Sequence, residues 1–187
     1  MSQVQGCILV VDDNEMNRDM LSRRLTRQGH EVIVAEDGQQ ALQMLSAHAY
    51  DLVLLDIMMP KMTGYEVLEK MKADTNFKHI PVIMISAVDD LDIVVKCIEI
   101  GAEDYLFKPF NPVLLKARVE TTLEKRRLYA QSILSMQRFK PSLEAIKTNT
   151  DYLLSGNGGT ISQHQSEVIH HIQEQIDHLL KLVPEDS

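Results

Sequence analysis

The stretch Asp51-Leu-Val-Leu-Leu-Asp56-Ile-Met-Met-Pro60 decides how this chain folds. Leu52–Leu55 is an unbroken apolar run between two acids, which reads as a strand buried on both faces and therefore as part of a parallel sheet. Asp56, at the end of that run, makes little sense as core. In open α/β sheets the reacting groups collect beyond the carboxyl ends of such strands. Cys7-Ile-Leu-Val-Val11 repeats the pattern and runs straight into Asp12-Asp13. Asp12, Asp13 and Asp56 at two strand ends imply a hard-cation site with one acid left over to react.

Outward from these runs, residues from about 6 to 110 alternate strand-like and helix-like segments. The strands expected are Cys7–Val11, Glu31–Ala35, Leu52–Leu55, Val82–Ile85 and Asp104–Phe107. Amphipathic helices are expected at Glu15–Gln28, Gln39–Ala47, Tyr65–Lys72 and Leu91–Ile100. Gly29, Gly38, Gly64 and Gly101 fall at the joints, where tolerance of positive φ is useful. Such β-α repeats imply an α/β fold, a doubly wound parallel five-stranded sheet with right-handed crossovers and helices on both faces.

Asn111-Pro112 opens a last helix, Asn as cap and Pro at its first position. Its apolar or small positions, Leu115, Val119, Thr122, Tyr129, Ile133 and Met136, are spaced to pack against a copy of the same helix, with Arg126 breaking the stripe. Past Pro141 a second seam runs Phe139, Leu143, Ile146, Thr150, Leu153. Gly156-Asn-Gly-Gly159 is a flexible break. Ser162 and Gln165 form a capping box for a final helix with the apolar face Ile169, Ile172, Ile176, Leu179, Val183. One such hairpin buries its own stripe poorly, whereas two make a four-helix bundle. A homodimer through residues 115–183 is expected.

Composition narrows the function classes. The 187 residues hold one ordinary domain plus a smaller appendage, and 44% apolar with 25% charged residues is normal for a globular protein. A net charge of −8 argues against general nucleic-acid binding, and the lack of Trp argues against a base-stacking platform. Cys7 and Cys97 have no metal-like spacing and read as reduced core residues. The start, Met1-Ser-Gln-Val-Gln-Gly6, lacks the regions of a signal peptide, and no apolar stretch approaches membrane-spanning length, so a cytoplasmic protein with no membrane partner is expected.

The strand ends support one chemistry. Asp12 and Asp13 follow the first strand, Asp56 the third, Ser86 the fourth and Lys108 the fifth. In a flavodoxin-like order, 2-1-3-4-5, these ends border one crevice. Crowded carboxylates repel unless a cation joins them, and oxygen-only ligands select Mg²⁺. Asp56 is then free to attack phosphorus as a nucleophile, giving an aspartyl phosphate. The Lys108 ammonium would neutralise charge on the transferring group, and the Ser86 hydroxyl would donate a further hydrogen bond.

Residues 6–125 resemble a response-regulator receiver domain of two-component signalling. The resemblance rests on Val10-Val-Asp-Asp13, Leu55-Asp-Ile-Met-Met-Pro60 with Gly64, Ile85-Ser-Ala87, and Gly101-Ala-Glu-Asp-Tyr-Leu-Phe-Lys-Pro109. It implies that Asp56 is the phosphoacceptor, that Asp12 and Asp13 hold Mg²⁺ together with the backbone carbonyl of Met58, and that Ser86 and Tyr105 form a switch pair. Lys108 would bind the phosphate, and its peptide to Pro109 is expected to be cis. The partners implied are a histidine kinase or histidine phosphotransfer protein as donor, and an unidentified downstream protein. Residues 136–183 resemble the dimerisation and histidine-phosphotransfer hairpin of sensor kinases, with Gln137 where that family carries its phosphoacceptor histidine. An amide cannot form a phosphoramidate, so this hairpin reads as catalytically silent. The resulting division is a receiver domain over 1–120, a connecting helix over 121–138 and a dimerisation hairpin over 139–187.

Rival readings fit less well. A haloacid-dehalogenase-type phosphatase wants an acid two residues after its nucleophile, where Met58 stands. A flavodoxin-like cofactor binder wants an anion-friendly loop after the first strand, and Asp12-Asp-Asn-Glu15 is hostile to anions. A transcription factor wants a basic helix-turn-helix module, for which there is no candidate segment. A phosphorelay intermediate, with the tail docking a kinase or phosphatase, stays open as the alternative.

Overall fold

The computed structural model describes residues 5–87, 91–109, 111–156 and 159–183. The extreme N-terminus and the centre of the Gly156–Gly159 loop, both read above from sequence, lie outside the described residues. The chain divides into two compact units, Met1–Arg126 and Arg127–Ser187.

The first unit is a parallel five-stranded sheet in the order β2-β1-β3-β4-β5, formed by β1 (Cys7–Val11), β2 (Glu31–Ala35), β3 (Leu52–Asp56), β4 (Val82–Ser86) and β5 (Asp104–Phe107). β3 and β4 are buried along their whole length, as their unbroken apolar runs require, whereas the edge strand β2 leaves Val34 exposed. Alternate residues face opposite sides. Leu9, Val53, Leu55, Val82 and Met84 join one core with Val67, Leu68 and Met71 of α3 (Gly64–Ala73). Ile8, Val10, Leu52, Leu54 and Ile83 join the other with Leu21 and Leu25 of α1 (Glu15–Arg27). That second core also holds Leu115, Val119 and Leu123, and Thr122 is buried too. The first half of the stripe assigned from sequence to a partner helix therefore faces this chain's own sheet. Period alone does not say what covers an apolar stripe.

β3 and β4 each run one residue past their apolar stretch, so Asp56 and Ser86 are the last strand residues. Backbone pairing is indifferent to side-chain polarity: Asp56 stands opposite Ile85, and Ser86 opposite Phe107. Both functional side chains are thus fixed by the ladder rather than by a loop.

The helices start where the caps dictate. Asn14 caps α1, Asp37 caps α2 (Gly38–Ala47), and Thr63 with Glu66 makes a capping box for α3. Gly29 and Gly101 adopt positive φ, 86° and 117°. Gly64 does not, and its role is close approach. A Cβ there would overlap the main-chain oxygen of Asp56 and lie 3.0 Å from Ile57 Cα, and the Gly64 N–H donates to Ile57 O at 2.9 Å. Because the obstacle is backbone, it cannot be relieved by a rotamer change. Gly64→Ala is expected to destabilise the fold by about 3 kcal/mol, the upper end for overpacking, measured as a lowered urea midpoint with an unchanged m-value. An unaltered midpoint would contradict the contact.

α4 (Leu91–Ile100) completes the crossovers, and α5 (Pro112–Leu154) is capped by Asn111, whose side-chain oxygen accepts from Val113 N–H at 2.8 Å. Arg126, which interrupts the apolar stripe in sequence, donates from Nη1 to the carbonyl of Tyr50 at 2.5 Å and lies 3.8 Å from Asp51. Cys97 is buried and Cys7 half-buried; both are unbridged, and burial pushes both thiols up.

In the second unit α5 continues through Pro141 to Leu154, and α6 (Gln163–Leu182) starts at the Ser162–Gln165 capping box. Lys147 pairs with Asp177 at 2.6 Å, and Gln173 donates to Asp151 at 2.6 Å, which sets the two helices antiparallel. Ile169, Ile176 and Thr150 are buried, while Phe139, Ile146, Leu153, Ile172 and Leu179 stay exposed. No helix among the described residues is long and apolar enough to cross a membrane.

Candidate phosphoryl-acceptor site

Four side chains, those of Asp12, Asp13, Asp56 and Lys108, converge at the carboxyl edge of the sheet, where Ser86 ends β4. Lys108 Nζ lies 2.7 Å from Asp12 Oδ2 and 2.9 Å from Asp56 Oδ2, so one ammonium bridges two buried carboxylates. Carboxylate oxygens of Asp12, Asp13 and Asp56 lie within 4.8 Å of one another, and Asp13 is the exposed member. Ser86 is fully buried at the end of β4, and its carbonyl accepts the Lys108 N–H at 2.7 Å. The peptide that follows, Lys108–Pro109, is cis. The Met58 N–H reaches Asp56 Oδ1 at 3.5 Å, while the Met58 side chain is exposed. Tyr105 is buried in β5 with its ring 4.9 Å from that of Phe107.

The electrostatics follow from one cation among several acids. Burial pushes the Asp56 carboxyl up, and Asp12 adds to this, against the lowering effect of Lys108 and the Met58 N–H. For Lys108, burial alone would lower the ammonium, but its bonds to Asp12 and Asp56 outweigh that and raise it. The two directions are compatible. The ammonium gains from two acids at once, while Asp56 shares the Lys108 cation with Asp12. A divalent ion would supply further positive charge, and the donor set suits it: oxygens only, one of them on the exposed side. Asp12, Asp13 and Asp56 are the side chains that would hold Mg²⁺.

Two further residues shape the site. Arg18 Nη1 donates to the main-chain carbonyls of Asp12 (2.7 Å) and Asp13 (2.9 Å), and Asn17 Nδ2 donates to Asp12 Oδ1 at 3.2 Å. The signal in the sequence is position: both lie in the opening turns of α1, within reach of the acidic doublet before it. Among the described residues, no group of three or more metal-ligating side chains includes a histidine of α6. His170 contacts Ser166 O, and His171 lies 3.8 Å from Glu174 on the same helix.

Comparison with known proteins places this geometry. The family described as "Response regulator receiver domain" matches residues 8–120. A "Probable transcriptional regulator ycf27" of Cyanidium caldarium is 40% identical over 121 residues, 65% of this chain and 47% of that protein. The "Response regulator PleD" of Caulobacter vibrioides is 45% identical over 114 residues, 61% of this chain and 25% of that protein. The chain spans about a quarter to just over half the length of such curated relatives. Among solved structures, NtrX from Brucella abortus superposes with a TM-score of 0.64 at 33% identity, covering 68% of this chain and 29% of that one. The receiver domain of Francisella response regulator 1452 gives 0.61 at 29% identity, over 64% of this chain and 98% of that one. The family model spans residues 8–120, well over half of the chain and all five strands but the first residue of β1, and this chain belongs to the response regulator receiver domain family.

Proposed function

We propose that this protein is a phosphorylation-controlled response regulator that accepts a phosphoryl group on Asp56 and signals by protein–protein contact through a dimeric helical tail. The observation that carries the reading is Lys108 bridging Asp12 and Asp56 at 2.7 and 2.9 Å, with an Asp13 oxygen alongside. An Asp56 oxygen attacks phosphorus, an O–P bond forms, and the bond to the donor breaks, whether to a histidine nitrogen of a kinase or phosphotransfer protein or to the acetyl oxygen of acetyl phosphate. Mg²⁺, when bound, neutralises charge on the transferring group. Lys108 keeps one end of its bridge and turns to the phosphoryl oxygens, and the Ser86 hydroxyl donates to them. Tyr105 takes up the space that Ser86 yields. No other catalysis is assigned beyond loss of the phosphoryl group to water. The direct test is incubation with acetyl phosphate and Mg²⁺. A mass gain of one phosphoryl group, removed by hydroxylamine and located at Asp56, supports the reading, and an unlabelled protein refutes it.

The dimer is supported by the second unit itself. Ile146 and Leu153 each precede an inward-turned residue, Lys147 and Leu154, and Ile172 and Leu179 likewise precede Gln173 and Leu180. On antiparallel helices those positions fall on one side of the hairpin, with Ile146 near the level of Leu179 and Leu153 near Ile172. The opposite side carries Glu144, Asp151, His170 and Glu174. A hairpin with one apolar face is half of a bundle, and the net charge of −8 favours a protein partner over DNA for the remainder of the output. Ile146→Asp combined with Leu179→Asp is expected to weaken self-association at least about thirtyfold in sedimentation velocity, while leaving labelling of Asp56 intact. A dimer of unchanged affinity would contradict it. Because α5 contributes to both units, repacking around Ser86 and Tyr105 has a continuous helix through which to alter the dimer. Solution scattering with and without beryllofluoride reads that coupling.

A further inference from the structure

We propose that Arg18, supported by Asn17, is a positioning residue for cation binding: it holds the acidic loop after β1 in the one arrangement that offers Asp13 and Asp12 to Mg²⁺. The inference rests on the receiver reading but concerns a residue outside the acids and the lysine. Asp12 and Asp13 are adjacent, share a region with Asp56, and repel it and each other in the absence of a cation. Their side chains alone give the loop reason to spread. Lys108 offsets part of this at Asp12 and Asp56, and at the main chain of the loop one Arg18 nitrogen donates to both carbonyls, 2.7 Å to Asp12 and 2.9 Å to Asp13. Such bonds fix two successive peptide planes, and with them the directions in which both side chains leave the backbone. Arg18 is itself seated by the first turn of α1, through its N–H to Asn14 O at 3.1 Å. Asn17 adds Nδ2 to Asp12 Oδ1 at 3.2 Å, and the Asn14 N–H reaches the same oxygen at 3.0 Å. That oxygen is thereby satisfied by the protein, which leaves Asp13 as the freer, exposed carboxylate.

The sign of the effect separates positioning from charge. A guanidinium close to a dication repels it, so on electrostatics alone Arg18→Ala tightens Mg²⁺ binding. If Arg18 positions the loop, the same change weakens binding, as loss of an outer-shell partner does, by about tenfold. The test is calorimetric titration of the full chain with MgCl₂ for wild type, Arg18→Ala and Arg18→Lys, with urea midpoints in EDTA to establish that each variant folds. The expected result is a Kd raised about tenfold in Arg18→Ala, partly recovered in Arg18→Lys, which keeps several N–H donors. The Mg²⁺ concentration that gives half-maximal labelling by acetyl phosphate is expected to rise in step with the Kd. Should Arg18→Ala fail to fold, Arg18→Lys and Asn17→Ala carry the test, each with a smaller rise in Kd. Unchanged or tighter binding in folded variants overturns the role of Arg18 while wild type still binds the ion. A wild-type chain that binds no Mg²⁺ overturns both this inference and the proposed phosphoryl-acceptor function.

Discussion

Asp56→Asn loses labelling by acetyl phosphate, by at least about a hundredfold, and becomes more stable than wild type at neutral pH without Mg²⁺. The first half follows because an amide offers no nucleophilic oxygen at that position. The second half follows from the direction in which Asp56 titrates. Burial raises its carboxyl above the ordinary value despite the pull of Lys108. Between the unfolded and folded pKa the folded chain binds the extra proton, so stability is full below the unfolded value and falls as pH rises through the folded one. At neutral pH the ionised acid opposes folding, and asparagine removes that charge with little change in volume. The midpoint of urea unfolding in EDTA should rise in the variant, and the pH dependence attributable to this residue should disappear. A wild type more stable than Asp56→Asn in EDTA would mean that Lys108 stabilises the ionised acid more than burial penalises it.

Lys108→Ala is expected to act with the opposite sign and a larger magnitude. Its ammonium is the short-range cation for both Asp12 and Asp56, which are almost fully buried. Removing one partner of a buried ionic cluster leaves uncompensated charge and costs about 3–5 kcal/mol. The raised ammonium of Lys108 gives the same direction: its stabilisation is present below the unfolded lysine value and is lost only as pH rises through the higher folded one, so neutral pH carries it in full. Unfolding in EDTA should show the whole deficit, and added Mg²⁺ should recover part of it by supplying charge at the same oxygens. Combining Lys108→Ala with Asp56→Asn should be less damaging than Lys108→Ala alone, because one of the abandoned acids is gone. Strict additivity of the two changes would show that Lys108 and Asp56 do not interact through the contact at 2.9 Å.

The sheet and the acids were legible for the same reason. Buried parallel strands announce themselves as unbroken apolar runs, and a carboxylate closing such a run has no explanation in packing. The order of strands, the caps at Asn111 and Ser162 and the cis Lys108–Pro109 bond all match the reading from sequence. Strand ends were legible less well. Asp56 and Ser86 sit within β3 and β4, because main-chain pairing continues after apolar side chains stop. Arg18 and Asn17 were not legible, since their task is performed on a loop's carbonyls and carboxylate rather than in any motif of their own. Gly64 was placed correctly at a joint but for the wrong reason, because closeness to the Asp56 backbone leaves no mark on the sequence. Periodicity misassigned Leu115 and Val119 to a partner helix, when the sheet of the same chain covers them, and Thr122 on the same stripe is buried too.

The acceptor that Arg126 finds is the carbonyl of Tyr50, a group that every amino acid possesses. Exchange of the tyrosine removes no acceptor from this tether of α5, although the buried ring at position 50 still belongs to the core. The side chains through which the contact can be lost are Arg126 and, at longer range, Asp51. A screen for folded variants in which the long helix has come loose from the foot of β3 should recover changes at 126 first and at 51 more weakly.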